Sequence, residues 1–130
     1  MSKLLARAKT KRFNAENCYY KMGVDDAYVD DCCFNLQQAI ELSLKYLVEM
    51  HGENYIENHD IRAQMKKLKE LKAFIPCEKE LRLLASTINS WETETRYNEN
   101  FIALVEDIDD VRKIADEVIK YCDSLVIEKK

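Results

Sequence analysis

The chain has 130 residues and a formal net charge of −4, a length that suits one compact domain over 1–130 with a real core. An apolar share of 47% excludes a disordered chain, and two glycines with one proline exclude a turn-rich β-sandwich or barrel. Few, long elements remain, which means helices. The fold expected is an all-α, antiparallel up-and-down bundle of about five.

The pI of about 5.3 gives no reason to expect duplex nucleic acid as a partner. No apolar run is long enough to cross a membrane. The N-terminus lacks the apolar stretch and small-residue cleavage site of a secretion signal. Cys18, Cys32, Cys33, Cys77 and Cys122 contain no Cys-x-x-Cys pair, and neither His51 nor His59 stands at zinc-finger spacing from a cysteine pair. These features point to free, mostly buried thiols in a cytoplasmic protein, with no metal and no cofactor.

In chain order, the first helix is expected over about Lys3 to Met22, closed by Gly23. The second runs from about Asp26 to His51, with Asp25 as its cap and Gly52 after it. Its stripe through Cys32, Leu36, Ile40, Leu44 and Leu47 is more than five turns long. The third runs from about Asp60 to Phe74, with Asn58 or His59 near its start and Ile61, Met65 and Leu68 facing inward. Pro76 separates it from the fourth, which starts near Cys77 and carries Leu81, Ile88 and a core Trp91. A polar connector, Glu92 to Asn100, should precede the fifth helix, about Phe101 to Ile127. That helix carries Leu104, Val105, Ile108, Val111 and Val118 inward.

Charge is unevenly spread. Residues 1–23 hold six basic side chains against one acidic, and 61–75 hold five against one. Residues 24–60 hold nine acidic against one basic. Complementary packing at helix edges accounts for this pattern. A sharper reading makes Lys66, Lys67, Lys69 and Lys72 a phosphate-attracting face, which salt would screen. Asp107, Asp109 and Asp110 cannot share a cation, because neighbours on a helix point in different directions.

On the second helix Gln37, Glu41 and Lys45 fall on one polar line, with Glu41 and Lys45 in the favourable order for an ion pair. The string Phe34-Asn35-Leu36-Gln37-Gln38-Ala39-Ile40-Glu41-Leu42-Ser43-Leu44-Lys45 resembles the HEPN (higher eukaryote and prokaryote nucleotide-binding) pattern Phe-x-x-Gln-Gln-Ala-x-Glu-x-x-Leu-Lys. Tyr55 with Asn58-His59-Asp60 is similar to the family's Tyr…His-Asp segment. Arg96-Tyr97 is similar to its Arg-Tyr-Pro segment, with Asn98 in place of the proline. The resemblance runs from about Leu4 to Leu125.

What it implies is an antiparallel helical bundle, commonly a homodimer, often working beside a minimal nucleotidyltransferase. Some members are metal-independent ribonucleases of toxin–antitoxin or defence systems. They carry an arginine followed four to six residues later by a histidine. The arginine polarises the phosphate and the histidine moves the proton. None of the six arginines here is followed at that spacing by His51 or His59, so the family's nuclease chemistry has no carrier and no catalytic residue is named.

The residues left as nucleotide- or partner-binding candidates are Arg96, Tyr97, His59 and Lys45. Arg96 and Tyr97 suit a phosphate and a stacked base. The expected function is a non-catalytic homodimer acting with a nucleotidyltransferase, in contact with a nucleotide or RNA. The alternative is an RNA-cleaving toxin. Phe34, Leu42 and Tyr46 lie off the main stripe of the second helix and are the expected second buried face of a homodimer.

Overall fold

The computed structural model describes residues 2–128. It contains five helices and, among the described residues, no strand: α1 (Leu4–Tyr19), α2 (Ala27–Met50), α3 (Ile61–Glu70), α4 (Glu78–Tyr97) and α5 (Val105–Glu128). The helix α2 is the axis of the molecule and packs against all four others. Its stripe Leu36, Ile40, Leu44 and Leu47 is fully buried and meets Leu68, Leu81, Ile88, Trp91 and Val118 in one apolar core. Such burial stabilises by roughly 1.5–3 kcal/mol per large side chain. α1 brings smaller groups: Ala8 and Ala15 are its fully buried positions, and small side chains let two helix backbones approach closely.

Several boundaries differ from expectation, each for a local reason. The helix α1 stops at Tyr19, and a series of tight turns follows in which the Lys21, Met22 and Val24 amides bond back three residues. Gly23 is not the left-handed closing residue; Gly52, with φ 79°, is. At the start of α2 the Asp25 carboxylate accepts from the Ala27 amide at 2.8 Å. The helix α3 ends four residues early, because Lys72 turns left-handed (φ 55°) and the Ala73 amide returns to the Leu68 carbonyl. Asp60, not Asn58 or His59, caps α3, accepting from the Arg62 amide at 2.9 Å.

The helix α4 continues through Tyr97, so Arg96 and Tyr97 occupy its last turn rather than a connector. The helix α5 begins only at Val105. Asn98 accepts from the Asn100 amide through its side chain and from the Phe101 amide through its carbonyl, a turn that keeps 98–101 out of the helix. Leu104 and Val105 are therefore exposed, at 60% and 54%, and do not face inward.

Phe34, Leu42 and Tyr46 do not form a second apolar face. Leu42 packs on the core, Tyr46 belongs to it, and Phe34 is half-buried beneath two cations. No helix among the described residues is long and apolar enough to cross a membrane.

Candidate functional site

The polar line of α2 is roofed by the segment 51–60 and flanked by α4. Gln64, fully buried on α3, fastens that roof. Its amide donates to the Ile56 carbonyl at 2.6 Å and accepts from the Ile56 amide at 3.2 Å. Asn89 on α4 holds the other end, accepting from the Ile61 amide at 3.0 Å and donating to Asp60 at 2.8 Å.

Beneath the roof sits Glu41, only 2% exposed. Nδ1 of His59 lies 2.8 Å from its Oε1 and Nζ of Lys45 lies 3.9 Å away. An ionised carboxylate only accepts, so Nδ1 carries the proton and donates. Burial pushes the Glu41 carboxyl above its ordinary range, against the opposing pull of Lys45 and His59. Lys45 also stands over the Tyr55 ring, 4.9 Å from its centroid. The helix-two signature and the Tyr…His-Asp segment thus meet at one buried carboxylate. Their visible role is to hold the roof on α2.

Gln38 carries the network onward, its side-chain amide donating to the side-chain oxygen Oε1 of neighbouring Gln37 at 3.0 Å and to Glu92 at 3.3 Å. Nε2 of Gln37 is buried without a partner. Glu92 pairs with Arg96 at 3.2 Å, the bridge that the spacing allows. The Arg96 guanidinium then lies over the Phe34 ring, 5.0 Å from its centroid. Lys11 from α1 approaches the same ring, with Nζ at 5.9 Å. One ring at the junction of α1, α2 and α4 therefore gathers two cations, of which Arg96 is paired with Glu92.

Of the four candidate residues, Lys45 and His59 come together at Glu41. Arg96, on α4, lies over Phe34, which stands two helical turns of α2 before Glu41, a rise of about 10 Å. Tyr97 is 76% exposed beside it. His51, the other histidine, has its Nδ1 2.8 Å from the Leu47 carbonyl oxygen at the end of α2.

Sequence reasoning missed Lys11, since nothing in a string of basic residues marks the one that reaches an aromatic ring on the next helix. It saw Phe34 only as an unplaced apolar residue. Gln64 and Asn89 carried no signal, because their work is to satisfy backbone groups of distant segments. Grooves of about 340 to 630 Å³ lie away from this site, and a shallower one of about 220 Å³ along α1 includes Lys11 in its lining. One of about 630 Å³ between α3 and α4 is lined by Arg62, Lys66, Lys69 and Arg82. No group of three or more His, Cys, Asp or Glu among the described residues could hold a metal ion.

The HEPN domain family matches residues 1–125, nearly the whole chain. This protein belongs to the HEPN family. No curated protein and no solved structure matches beside it. Membership places the bundle in a family of nucleotide-binding and ribonuclease-type domains. Within this HEPN fold the family's helix-two residues lie on the α2–α3–α4 side, with Arg96 at the upper end of that line and His59 at the lower.

Proposed function

We propose that the chain is a non-catalytic HEPN protein, a homodimer that acts with a minimal nucleotidyltransferase in the cytoplasm. At the Arg96 corner it holds an oxyanion supplied by a nucleotide or by that partner. The observation that carries this reading is the convergence of Lys11 and Arg96 on Phe34, with Arg96 paired to Glu92. An incoming phosphate relieves the repulsion between the two cations and gains charged hydrogen bonds from both. Tyr97, the next residue along α4 and exposed, offers an aromatic face for a base.

The alternative, a metal-independent RNA-cleaving toxin, lacks a proton carrier. In-line attack on one phosphate needs an acid–base group within hydrogen-bond reach of it, whereas His59 is held at Glu41, two turns of α2 from the Phe34 ring over which Arg96 lies.

The test is calorimetric titration with each of the four ribonucleoside triphosphates, alongside co-purification with a co-expressed nucleotidyltransferase. Arg96→Ala should weaken whichever interaction is found by about 1–3 kcal/mol with helicity unchanged. An unchanged affinity would sink the site. Cleavage of RNA by the wild-type protein in excess chelator, lost in Arg96→Ala, would establish the alternative.

A further inference from the structure

Two adjoining grooves, about 520 and 340 Å³, run along the outer face of α4 and α5 and share Cys77 and Glu117. Their apolar lining is Leu83, Leu84 and Ile114 in one and Phe74, Pro76 and Tyr121 in the other. Leu83 is 75% and Phe74 62% exposed, so the apolar surface is open to solvent along the length of the face.

The α5 wall of these grooves carries Asp110, Lys113, Glu117 and Lys120. Spacings of three and four keep them on one side of the helix over about 15 Å. Lys113 and Glu117 are within reach of each other by spacing, yet none of the four forms an ion pair among the described residues. The pairs α5 does make leave from other positions: Arg112, Asp116 and Asp123 bind Glu16, Arg12 and Lys9 of α1. The unpaired face reads acidic, basic, acidic, basic. Read in reverse it is basic, acidic, basic, acidic. A second copy of α5 lying antiparallel sets every charge against its opposite. With the two-fold axis at the level of Ala115, Asp110 faces the second copy's Lys120 and Lys113 faces the second copy's Glu117. A two-fold interface must be self-complementary in this way.

We propose that this α4–α5 face is where two copies of the chain pair, α5 antiparallel to α5 in that register. The inference rests on the dimeric reading above and supplies its surface. Leu83, Leu84, Phe74 and Tyr121 provide the apolar area that drives association. The four charges fix orientation more than affinity, as partly exposed pairs do.

The experiment is sedimentation equilibrium on the full chain over micromolar concentrations, with circular dichroism confirming that each variant is folded. The wild type should sediment at twice 15.3 kDa. Lys113→Glu and Glu117→Lys should each raise the dissociation constant about tenfold or more, since each occurs twice in a two-fold interface. The double variant should return to within a few-fold of wild type, because the exchanged charges meet opposites again. Leu83→Asp should give monomers. A monomeric wild type overturns the dimeric reading itself, and with it this surface. A dimer indifferent to Lys113→Glu, Glu117→Lys and Leu83→Asp keeps that reading but overturns the surface. Weakened single variants without rescue in the double overturn the antiparallel register.

Discussion

Glu41 shows how one residue can serve the fold at a cost in solvation. Its carboxyl is pushed up mainly by burial, with Lys45 and His59 pulling the other way and the more distant Glu92 adding to the rise. A carboxyl raised in the folded state binds its proton more tightly there than in the unfolded chain. Its contribution is therefore fully present below the unfolded value and is lost as pH rises through the folded one. Glu41→Gln keeps an acceptor for His59 and removes the titration. The stability of wild type relative to this variant should fall between pH 4 and pH 7, read from urea midpoints at both. A difference that is constant or grows over that window would refute the burial account.

Cysteine burial makes a second prediction at this scale. Burial pushes the Cys32 and Cys122 thiols up to about 12, and Cys33 rises for the same reason. Only thiolate alkylates readily. Cys18 and Cys77, half-buried, should label first, and the other three only as the protein unfolds, as mass spectrometry against time would report.

Between elements, the contact that sequence least foretold is the seam of α1 and α5. Complementary charge blocks hinted at pairing, but not at its form. The Arg112 guanidinium grips Glu16 through Nε at 3.0 Å and through a second nitrogen at 2.6 Å, and lies 3.6 Å from the Tyr19 ring centroid. Tyr19 donates to Asp109 at 2.7 Å, closing the cluster. A planar fork that both chelates and stacks has no equivalent in lysine. Arg112→Lys should cost about 1 kcal/mol and Arg112→Ala about 2 kcal/mol of stability, since Glu16 then loses its main partner. Thermal denaturation of both variants checks this: a negligible loss in Arg112→Lys would show that charge alone matters, and equal losses that only the guanidinium geometry does. Glu16 is held below its ordinary range chiefly by the Arg112 hydrogen bond. That contribution is present above the unfolded value and fades as pH falls through the folded one.

Helix ends also mark the limit of what the sequence could tell. The stripes of α2 and α4 were legible because apolar residues recur at helical spacing. The ends of α4 and α5 were not. Polar residues such as Glu92 to Tyr97 read as a loop, yet remain helical because their carbonyls find intrahelical partners, with Thr95 bonding back to Trp91 and the Asn98 amide to Glu94. Apolar Leu104 and Val105 read as core, yet stay exposed because the Asn98 turn precedes them. The candidate site was legible in its residue types and half-legible in its geometry. The Glu41 cluster assembled from the motif line, while the Arg96 corner needed Lys11, which only the packing of α1 on α2 delivers.

Across the whole molecule, the core is unevenly shared. α2 contributes fully buried Leu36, Ile40, Leu44 and Leu47, whereas α1 contributes Leu4, Leu5 and two alanines, supplemented by ion pairs to α5 at Lys9, Arg12 and Glu16. Large apolar side chains hold against salt, while ion pairs weaken as the screening length falls to about 3 Å at 1 M, the exposed Lys9–Asp123 pair more than the half-buried Arg12 and Arg112 pairs. Regions fastened by fewer buried apolar contacts open at lower free energy than the global transition. The helix α1 should therefore be the first to exchange its amide hydrogens, with α2 protected to the global limit. Raising sodium chloride from 0.1 to 1 M should speed α1 exchange several-fold and leave α2 nearly unchanged. Native-state exchange resolved by helix tests the order. If α1 amides were as protected as those of α2, or insensitive to salt, its close alanine-mediated approach to α2 would outweigh the ionic seam, and the hierarchy would be reversed in its cause.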